Sequence, residues 1–225
     1  MKILAVSDTE CAAFWDYYIP GRLKDYDLIL SCGDLKADYL SFLVTMARAP
    51  LLYVHGNHDT SYAQRPPEGC SCIDDCLVVY NGVRILGLGG CYQYHPGEHQ
   101  YTENEMRRRI RKLRFALQRA GGVDIVVTHA PPNGLGDGDD PAHRGFQSLV
   151  DLVDTYHPQY LLHGHVHRNY MANPCREYHR GNSIIINTYE RYTLELPDRE
   201  VPAKQKDVLL WKKGKPRESH FPPLV

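Results

Sequence analysis

One pattern, repeated five times, constrains this chain more than any other feature: a short apolar run ends in side chains that can bind a metal ion. The endings are SDTE, CGD, GNHD, THAPP and HGHVH, which begin at residues 7, 32, 56, 128 and 163. Short apolar runs that end in such turns are typical of buried parallel strands. Because ligands bind at the carboxyl ends of the strands in open α/β sheets, we expect the five endings to meet at one rim.

The endings supply a mixture of carboxylate, amide and imidazole groups. This mixture suits divalent transition metals such as Mn, Fe, Zn, Co or Ni better than Ca or Mg, and Mn is the ion we expect. Hydrolysis of a phosphate ester at neutral pH needs a reactive water and positive charge beside the phosphoryl oxygens. Two metal ions about 3.5–4 Å apart provide both. Each motif alone is common, but the five together predict a two-metal phosphoesterase site.

The motifs resemble the pattern of the calcineurin-like metallophosphoesterase superfamily: D-x-H, G-D, G-N-H-D/E, a later H and G-H-x-H. The resemblance extends from Ser7 to His167 and into the following strands. It implies an α/β fold, a four-layer α/β/β/α sandwich with two mixed β-sheets. It also implies the metal ligands: Asp8 and His167 at the first metal, Asp34 as the bridge, and Asn57, His129 and His165 at the second.

The same resemblance implies the catalytic residues. His58 would lie beside the phosphate, where it stabilises transition-state charge or protonates the leaving oxygen. Asp59 would orient His58. One position departs from the pattern, because Glu10 stands where the family usually has histidine. A carboxylate binds most of the same metals, so we predict that Glu10 is a ligand of the first metal. The alternative is that Glu10 turns away and the first site is weak or empty.

The predicted ligands also bear on the substrate. With Glu10 bound, two divalent ions would face three carboxylates and one hydroxide, so the charges would about cancel. Such a site attracts a doubly charged monoester less than a positive site would, which favours a phosphodiester. Residues 128–149, followed by HGHVH, resemble the branch that contains cyclic nucleotide phosphodiesterases. There Asp137 or Asp139 and His143 would line the rim, although a solvated loop is the alternative.

Charge and composition narrow the function further. The formal net charge is −1, so no overall field attracts nucleic acid, and we expect a small phosphate-ester substrate and no nucleic-acid partner. The run RRRIRKLR at residues 107–114 fits a solvated helix face, with an anion-binding patch as the alternative. A nuclease and a non-catalytic metal-binding scaffold of the same fold remain as alternatives; the presence of His58 argues against the scaffold.

At 225 residues the chain fits a single metallophosphoesterase domain over residues 1–210, followed by a polar, Pro-rich tail at residues 211–225. We predict helices near residues 13–23, 37–47, 102–120 and 146–156, and a hairpin turn at Asn81-Gly82. No apolar run reaches the length of roughly 18–20 residues that crosses a bilayer. The short apolar run at the N-terminus fits a strand better than a secretory signal, so we expect a cytoplasmic protein. The oligomeric state stays open.

Overall fold

The computed structural model describes residues 1–167, 175–197 and 208–209. A first sheet of five strands is built from β1 (Lys2–Val6), β2 (Leu28–Ser31), β3 (Leu51–Tyr53), β4 (Cys70–Cys72) and β13 (Tyr192–Glu195). The strands lie in the order β13-β1-β2-β3-β4. Strands β1 to β4 are parallel, and β13 pairs antiparallel with β1.

A second sheet has seven strands: β5 (Cys76–Tyr80), β6 (Val83–Leu88), β9 (Ile125–Thr128), β10 (Tyr160–His163), β11 (Glu177–Arg180), β12 (Ser183–Asn187) and β14 (Val208–Leu209). Their order is β11-β12-β10-β9-β6-β5-β14. The four strands from β12 to β6 are parallel, and the outer strands are antiparallel. A short parallel pair, β7 (Cys91–Tyr92) and β8 (Gln100–Tyr101), lies apart from both sheets.

Three apolar cores lie between the layers of the fold. The central core joins the two sheets, with Ile3 and Leu30 of the first packed with Ile85 and Val127 of the second. The second core covers the outer face of the seven-stranded sheet with helices α2 (Glu103–Ala120) and α3 (Gln147–Tyr156). The third core covers the five-stranded sheet with α1 (Ala37–Ala47) and the turns before β2. These layers confirm the predicted α/β/β/α sandwich.

Helix α2 follows the predicted pattern closely. The Thr102 side chain accepts a hydrogen bond from the Glu105 N–H, and the Glu105 carboxylate accepts one from the Thr102 N–H, which makes a capping box. Met106, Leu113 and Leu117 recur at helical spacing and are buried. Gly121 ends the helix with φ 73°, a left-handed conformation that glycine adopts without a steric cost.

Two other local predictions had different outcomes. Asn81 and Gly82 have φ 45° and 74°, as a type I′ turn between β5 and β6 requires. The helix predicted at residues 13–23 is wrong, because this segment forms a series of turns. Pro20-Gly21 interrupts the pattern, with Gly21 at φ 88°, and the buried side chains of Phe14 and Leu23 hold the turns against the first sheet.

The domain boundary at residue 210 and the tail at residues 211–225 lie outside the described residues, so both stay predictions. In the described part of the chain, no helix combines the length and the apolar character needed to cross a bilayer.

Candidate metal centre

The carboxyl ends of parallel strands from both sheets meet at one rim, and three predicted ligands there have unusual backbone conformations. Asp8, Asp34 and His165 have φ values of 62°, 58° and 68°. Non-glycine residues seldom adopt this left-handed region, at a cost of order 1 kcal/mol or more each. Each of the three directly follows a strand or a short turn that ends a strand. Such strain clusters at sites where it orients functional groups.

Four donor atoms converge at the rim. The His129 Nε2 atom lies 3.0 Å from Asn57 Oδ1, 3.3 Å from Asp34 Oδ2 and 3.1 Å from His165 Nδ1. His129 is fully buried, and Asn57 and His165 are nearly so. Asp34 and Asn57 come from the first sheet, whereas His129 and His165 come from the second. The structure therefore brings together four of the predicted ligands.

The outer nitrogens of both histidines are already engaged. His129 Nδ1 lies 2.8 Å from the Cys32 carbonyl oxygen, and His165 Nε2 lies 2.7 Å from the Ala142 carbonyl oxygen. A carbonyl only accepts, so each of these nitrogens carries hydrogen and donates. The inner nitrogens then face two oxygen acceptors with their lone pairs, an arrangement that needs a positive charge at its centre. A proton on His129 Nε2 or a divalent cation supplies that charge, and the donor set fits a transition metal.

The charges inside this group shift the pKa values strongly. Burial lowers the pKa of His129, but the nearby Asp34 carboxylate outweighs it and raises the pKa to about 9. Burial raises the pKa of Asp34, but the charge and hydrogen bond of His129 hold it well below its usual range. Burial, together with the charge on His129, lowers the pKa of His165 to about 3. His165 is thus a neutral imidazole, the form that binds metals.

The residues predicted for the first metal are less tightly grouped. The Asp8 carboxylate is buried; its Oδ1 accepts the His165 N–H at 2.9 Å, and its Oδ2 has no hydrogen-bond partner among the described residues. His167 Nε2 lies 4.0 Å from Asp8 Oδ1. Glu10 Oε1 instead lies 3.4 Å from the exposed ammonium of Lys36. The buried, unpaired oxygen of Asp8 fits a cation site. The Glu10 carboxylate, in contrast, contacts Lys36 in this structure.

Two glycines make room for the carboxylates. A Cβ atom on Gly164 would lie 2.5 Å from Asp8 Oδ2 and 2.7 Å from Ser7 Cβ. A Cβ atom on Gly56 would overlap the Asp34 carboxylate. The glycines of the GNHD and HGHVH motifs are therefore required by close approach at the rim.

His58 and Asp59 follow the same turn but face in different directions. His58 is exposed, and its backbone N–H donates to Asp34 Oδ1 at 2.8 Å. Asp59 is buried, and its Oδ2 accepts the backbone N–H groups of Asp34 at 2.9 Å and Gly56 at 2.7 Å. The contacts of Asp59 in the described residues thus hold the backbone of Asp34, the predicted bridging ligand, and include none to the His58 ring.

The loop between β9 and α3 closes one side of the rim. It supplies the Ala142 carbonyl to His165, and the His143 ring lies 5.2 Å from the His165 ring. His143 Nδ1 pairs with Asp140 at 2.7 Å. Asp137 turns into the loop, where it accepts from the backbone N–H groups of Gly134 and Gly145. Of the loop residues named from the sequence, His143 therefore lies nearest the ligands.

Next to the rim, His55 and Asp74, which the sequence did not mark as functional, form a cluster with His99. His55 Nδ1 lies 2.6 Å from Asp74 Oδ2, and the His55 and His99 rings stack at 4.4 Å. The 2.6 Å separation is shorter than the 3.0–3.3 Å between the donors around His129, and such a short distance is typical of a charge-assisted hydrogen bond between a protonated imidazole and a carboxylate. No motif marks Asp74, because its role depends on tertiary contacts.

Asp74 links the two sheets beside the rim. Its carboxylate accepts the His55 N–H at 3.3 Å and the Gly89 N–H at 2.7 Å. The His55 carbonyl then accepts the Gly90 N–H at 2.7 Å, and the Gly90 carbonyl accepts the Ala130 N–H at 3.3 Å. His55 precedes the GNHD turn and Ala130 follows His129, so this network connects segments that carry ligands from both sheets.

Comparison with protein-family models and with known proteins gives matches for this chain. The family model of the calcineurin-like phosphoesterase superfamily domain matches residues 1–187. A lariat debranching enzyme from Drosophila pseudoobscura pseudoobscura is 29% identical over 202 residues, a match that covers 65% of this chain and 38% of that relative. This chain therefore spans well under two thirds of the length of that relative.

Two solved crystal structures share the fold. One aligns with a TM-score of 0.62 and 16% identity, covering 86% of this chain and 94% of that chain. The other, from Thermus thermophilus, aligns with a TM-score of 0.53 and 16% identity, covering 84% and 89% of the two chains. At these identities the likeness concerns the arrangement of the sheets and helices alone.

Proposed function

The chain belongs to the calcineurin-like phosphoesterase superfamily, and we propose that it hydrolyses a phosphodiester at a dinuclear metal centre. The observation that carries the proposal is the convergence of four donor atoms: one atom each of Asp34, Asn57 and His165 lies 3.0–3.3 Å from His129 Nε2. The likeness to a lariat debranching enzyme supports a diester as the bond that is cleaved.

Two groups of residues would hold the ions. Asn57, His129 and His165 would hold one ion, and Asp8 and His167 the other, with Glu10 as its third candidate. Asp34, which lies 3.3 Å from His129, would bridge the two ions. Divalent transition metals, Mn before Fe, Zn, Co or Ni, suit these ligands. When bound, two ions supply a more acidic water and neutralise charge on the phosphoryl oxygens.

His58 is the residue best placed to act on the substrate directly. Its backbone is held by Asp34 at 2.8 Å, while its side chain stays exposed at the rim. From there the ring can donate a hydrogen bond to a phosphoryl oxygen or a proton to the leaving oxygen. Asp59 fixes the turn through the backbone of Gly56 and Asp34, so it acts as a positioning residue.

The free thiols support the proposal of a cytoplasmic protein. All seven cysteines, from Cys11 to Cys175, are free. Free thiols are maintained where glutathione and thioredoxin keep proteins reduced, and a cytoplasmic protein fits this state.

The test is steady-state turnover of bis-nitrophenyl phosphate by the Mn-loaded protein, with His58→Ala beside it. Loss of one positioned donor or acid lowers kcat by about 10²–10³-fold, while the metal content stays unchanged because the ring is not among the converging donors. His179→Ala, an exposed histidine on β11, is the matched control and should keep full activity.

The outcomes separate the parts of the proposal. Fewer than two ions per chain at saturating Mn would exclude the dinuclear centre. Full activity in His58→Ala would remove the role of that ring. Faster turnover of the nitrophenyl monoester than of the diester would refute the choice of substrate class.

A further inference from the structure

Helix α2 carries a concentration of basic residues outside the centre described above. Between residues 107 and 119 it has seven basic residues and no acidic one. Arg109 is buried and bound to Asp75 and the Gly89 carbonyl. The other six are at the surface: Arg107, Arg108, Arg111, Lys112, Arg114 and Arg119. Since the whole chain has a net charge of −1, this face is a local concentration of positive charge.

Most of these cations have no side-chain partner among the described residues. Arg107 contacts Glu103 at 3.5 Å, and Arg108 faces the Glu105 charge. Within the part of the chain that the structure describes, Arg111, Lys112, Arg114 and Arg119 make no side-chain hydrogen bond or ion pair. Unpaired arginines in one row favour an anionic partner, because an intramolecular role would leave them bound to protein carboxylates.

Three of the cations line a groove between α2 and α3. Arg107, Arg111 and Arg114 lie at successive turns of one helix face, and the opposite wall includes Ser148, Asp151 and Tyr156. The Asp151 carboxylate accepts a hydrogen bond from Gln147 Nε2 at 3.0 Å, so three cations face one carboxylate in the groove. The groove has a volume of about 190 Å³. Beside it, one turn after Arg111, the ring of Phe115 is 68% exposed. The groove thus combines evenly spaced cations with aromatic rings.

A series of contacts connects the Arg107 end of the groove with the candidate metal centre, beginning with the contact of Arg107 with Glu103 at 3.5 Å. The Glu103 carboxylate accepts the backbone N–H groups of Gln147 and Ser148 at 3.0 and 2.8 Å, which ties the first turns of α2 and α3 together. Gln147 follows the loop whose Ala142 carbonyl holds His165 at 2.7 Å. A flexible chain with its reactive bond at the rim therefore has a path over this loop to Arg107.

We propose that the groove between α2 and α3 binds the backbone phosphates of a single-stranded nucleic acid whose scissile diester lies at the metal centre. This proposal rests on the proposed function and names its substrate class. Arginine forks match phosphate oxygens, and exposed aromatic rings stack on bases without regard to sequence. A row one arginine wide suits a single strand better than a duplex, which presents two phosphate backbones.

The distribution of charge explains the difference from the expectation of a small substrate. That expectation rested on the net charge and interpreted the basic run of α2 as a solvated helix face. The net charge averages the face of α2 with acidic residues elsewhere. An anionic membrane is the other polyanion that a basic face could meet. A membrane-binding helix carries an exposed apolar face with several large side chains, whereas the exposed large apolar residue of α2 in the described structure is Phe115.

The experiment measures binding of fluorescein-labelled 15-nucleotide oligothymidylate and oligouridylate by anisotropy, in a His58→Ala background that prevents cleavage. Each phosphate contact contributes roughly a factor of 5 at about 0.1 M salt, because the slope of log affinity against log salt is about −0.7 per contact. Arg111→Gln with Arg114→Gln should therefore weaken binding about 25-fold and reduce the salt slope by about 1.4.

The control changes the same charge elsewhere. Arg22→Gln with Arg65→Gln alters two exposed arginines on the side of α1 and should leave oligonucleotide binding unchanged. With His58 intact, turnover of bis-nitrophenyl phosphate should be the same in both double variants. This readout separates failure of the groove from failure of the proposed chemistry.

Equal oligonucleotide affinity in the groove variant and the control would overturn the proposal. Binding to phosphatidylserine vesicles that depends on Arg111 and Arg114, without oligonucleotide binding, would overturn it in favour of a membrane. Binding of one oligonucleotide type alone supports the groove and assigns the sugar.

Discussion

Replacement of Asp74 by asparagine should weaken both the fold and metal binding, although Asp74 is not a ligand. Its carboxylate accepts three hydrogen bonds, from the His55 ring at 2.6 Å, the His55 N–H at 3.3 Å and the Gly89 N–H at 2.7 Å. An asparagine oxygen can keep the bond to Gly89. Its amide then opposes the two His55 donors, so the charge-assisted bond to the ring is lost.

The size of the effect follows from these contacts. A hydrogen bond to a charged group contributes about 1.5–3 kcal/mol, and an unpaired buried donor costs a further 1–3 kcal/mol or so. The Asp74 side chain is 20% exposed, so water compensates in part, and we expect a loss of about 2–3 kcal/mol in the free energy of unfolding. The Mn affinity should fall of order tenfold, because the network sets the positions of the segments around Asn57 and His129.

Urea unfolding and calorimetric titration with Mn measure the two effects. Asp154→Asn is the control, since Asp154 forms an exposed ion pair with Arg180 and such pairs contribute about 1 kcal/mol or less. If Asp74→Asn unfolds at the wild-type urea concentration and binds Mn with wild-type affinity, the network does not position the ligands.

Two further predictions concern the metals and helix α2. Titration of the wild type with Mn should show a tight and a weaker binding step, because the donors around His129 are grouped whereas His167 Nε2 lies 4.0 Å from Asp8 Oδ1. The His129→Ala variant should lose the tight step, and the His167→Ala variant should lose the weak one. The reverse assignment would contradict the geometry. Thr102→Ala should lower the free energy of unfolding by about 0.5–2 kcal/mol near neutral pH. The Thr102 hydroxyl also donates to the Glu105 carboxylate at 2.8 Å, and the Thr102 hydrogen bonds lower the pKa of Glu105. This part of the difference is present above the unfolded-state pKa and is lost as the pH falls through the folded-state value, whereas the bond from the Glu105 N–H to Thr102 Oγ1 does not titrate and remains. A difference between wild type and variant that stays constant down to strongly acidic pH would refute the contribution of the Glu105 carboxylate.

Local patterns in the sequence were sufficient for most of the fold. The apolar runs predicted the parallel strands, the Thr102 and Glu105 pair predicted the start of α2, and Asn81-Gly82 predicted the hairpin turn, because each signal acts within a few residues. The helix predicted at residues 13–23 failed because burial of Phe14 and Leu23 against the sheet gives an apolar spacing without a helix.

In the candidate site too, the sequence predicted what local patterns determine and missed what tertiary contacts determine. The rim position of the four donors around His129 follows from strand endings, which a sequence displays. The contact between Glu10 and Lys36, and the place of Asp59 on the backbone of Asp34, depend on side-chain rotamers that no spacing encodes. Asp74 and the groove beside α2 arise from segments far apart in the chain, so they become visible only in three dimensions.

The origin of the ligands in two different layers has a mechanical consequence. Asp34 and Asn57 belong to one layer and His129 and His165 to the other, so a cation bound at the proposed centre would connect the two sheets directly. Separation of the layers during unfolding must then break coordination bonds, and the ion's binding free energy adds to the resistance of the whole molecule. Amide protons deep in the interior, far from the rim, should therefore exchange more slowly once manganese is added.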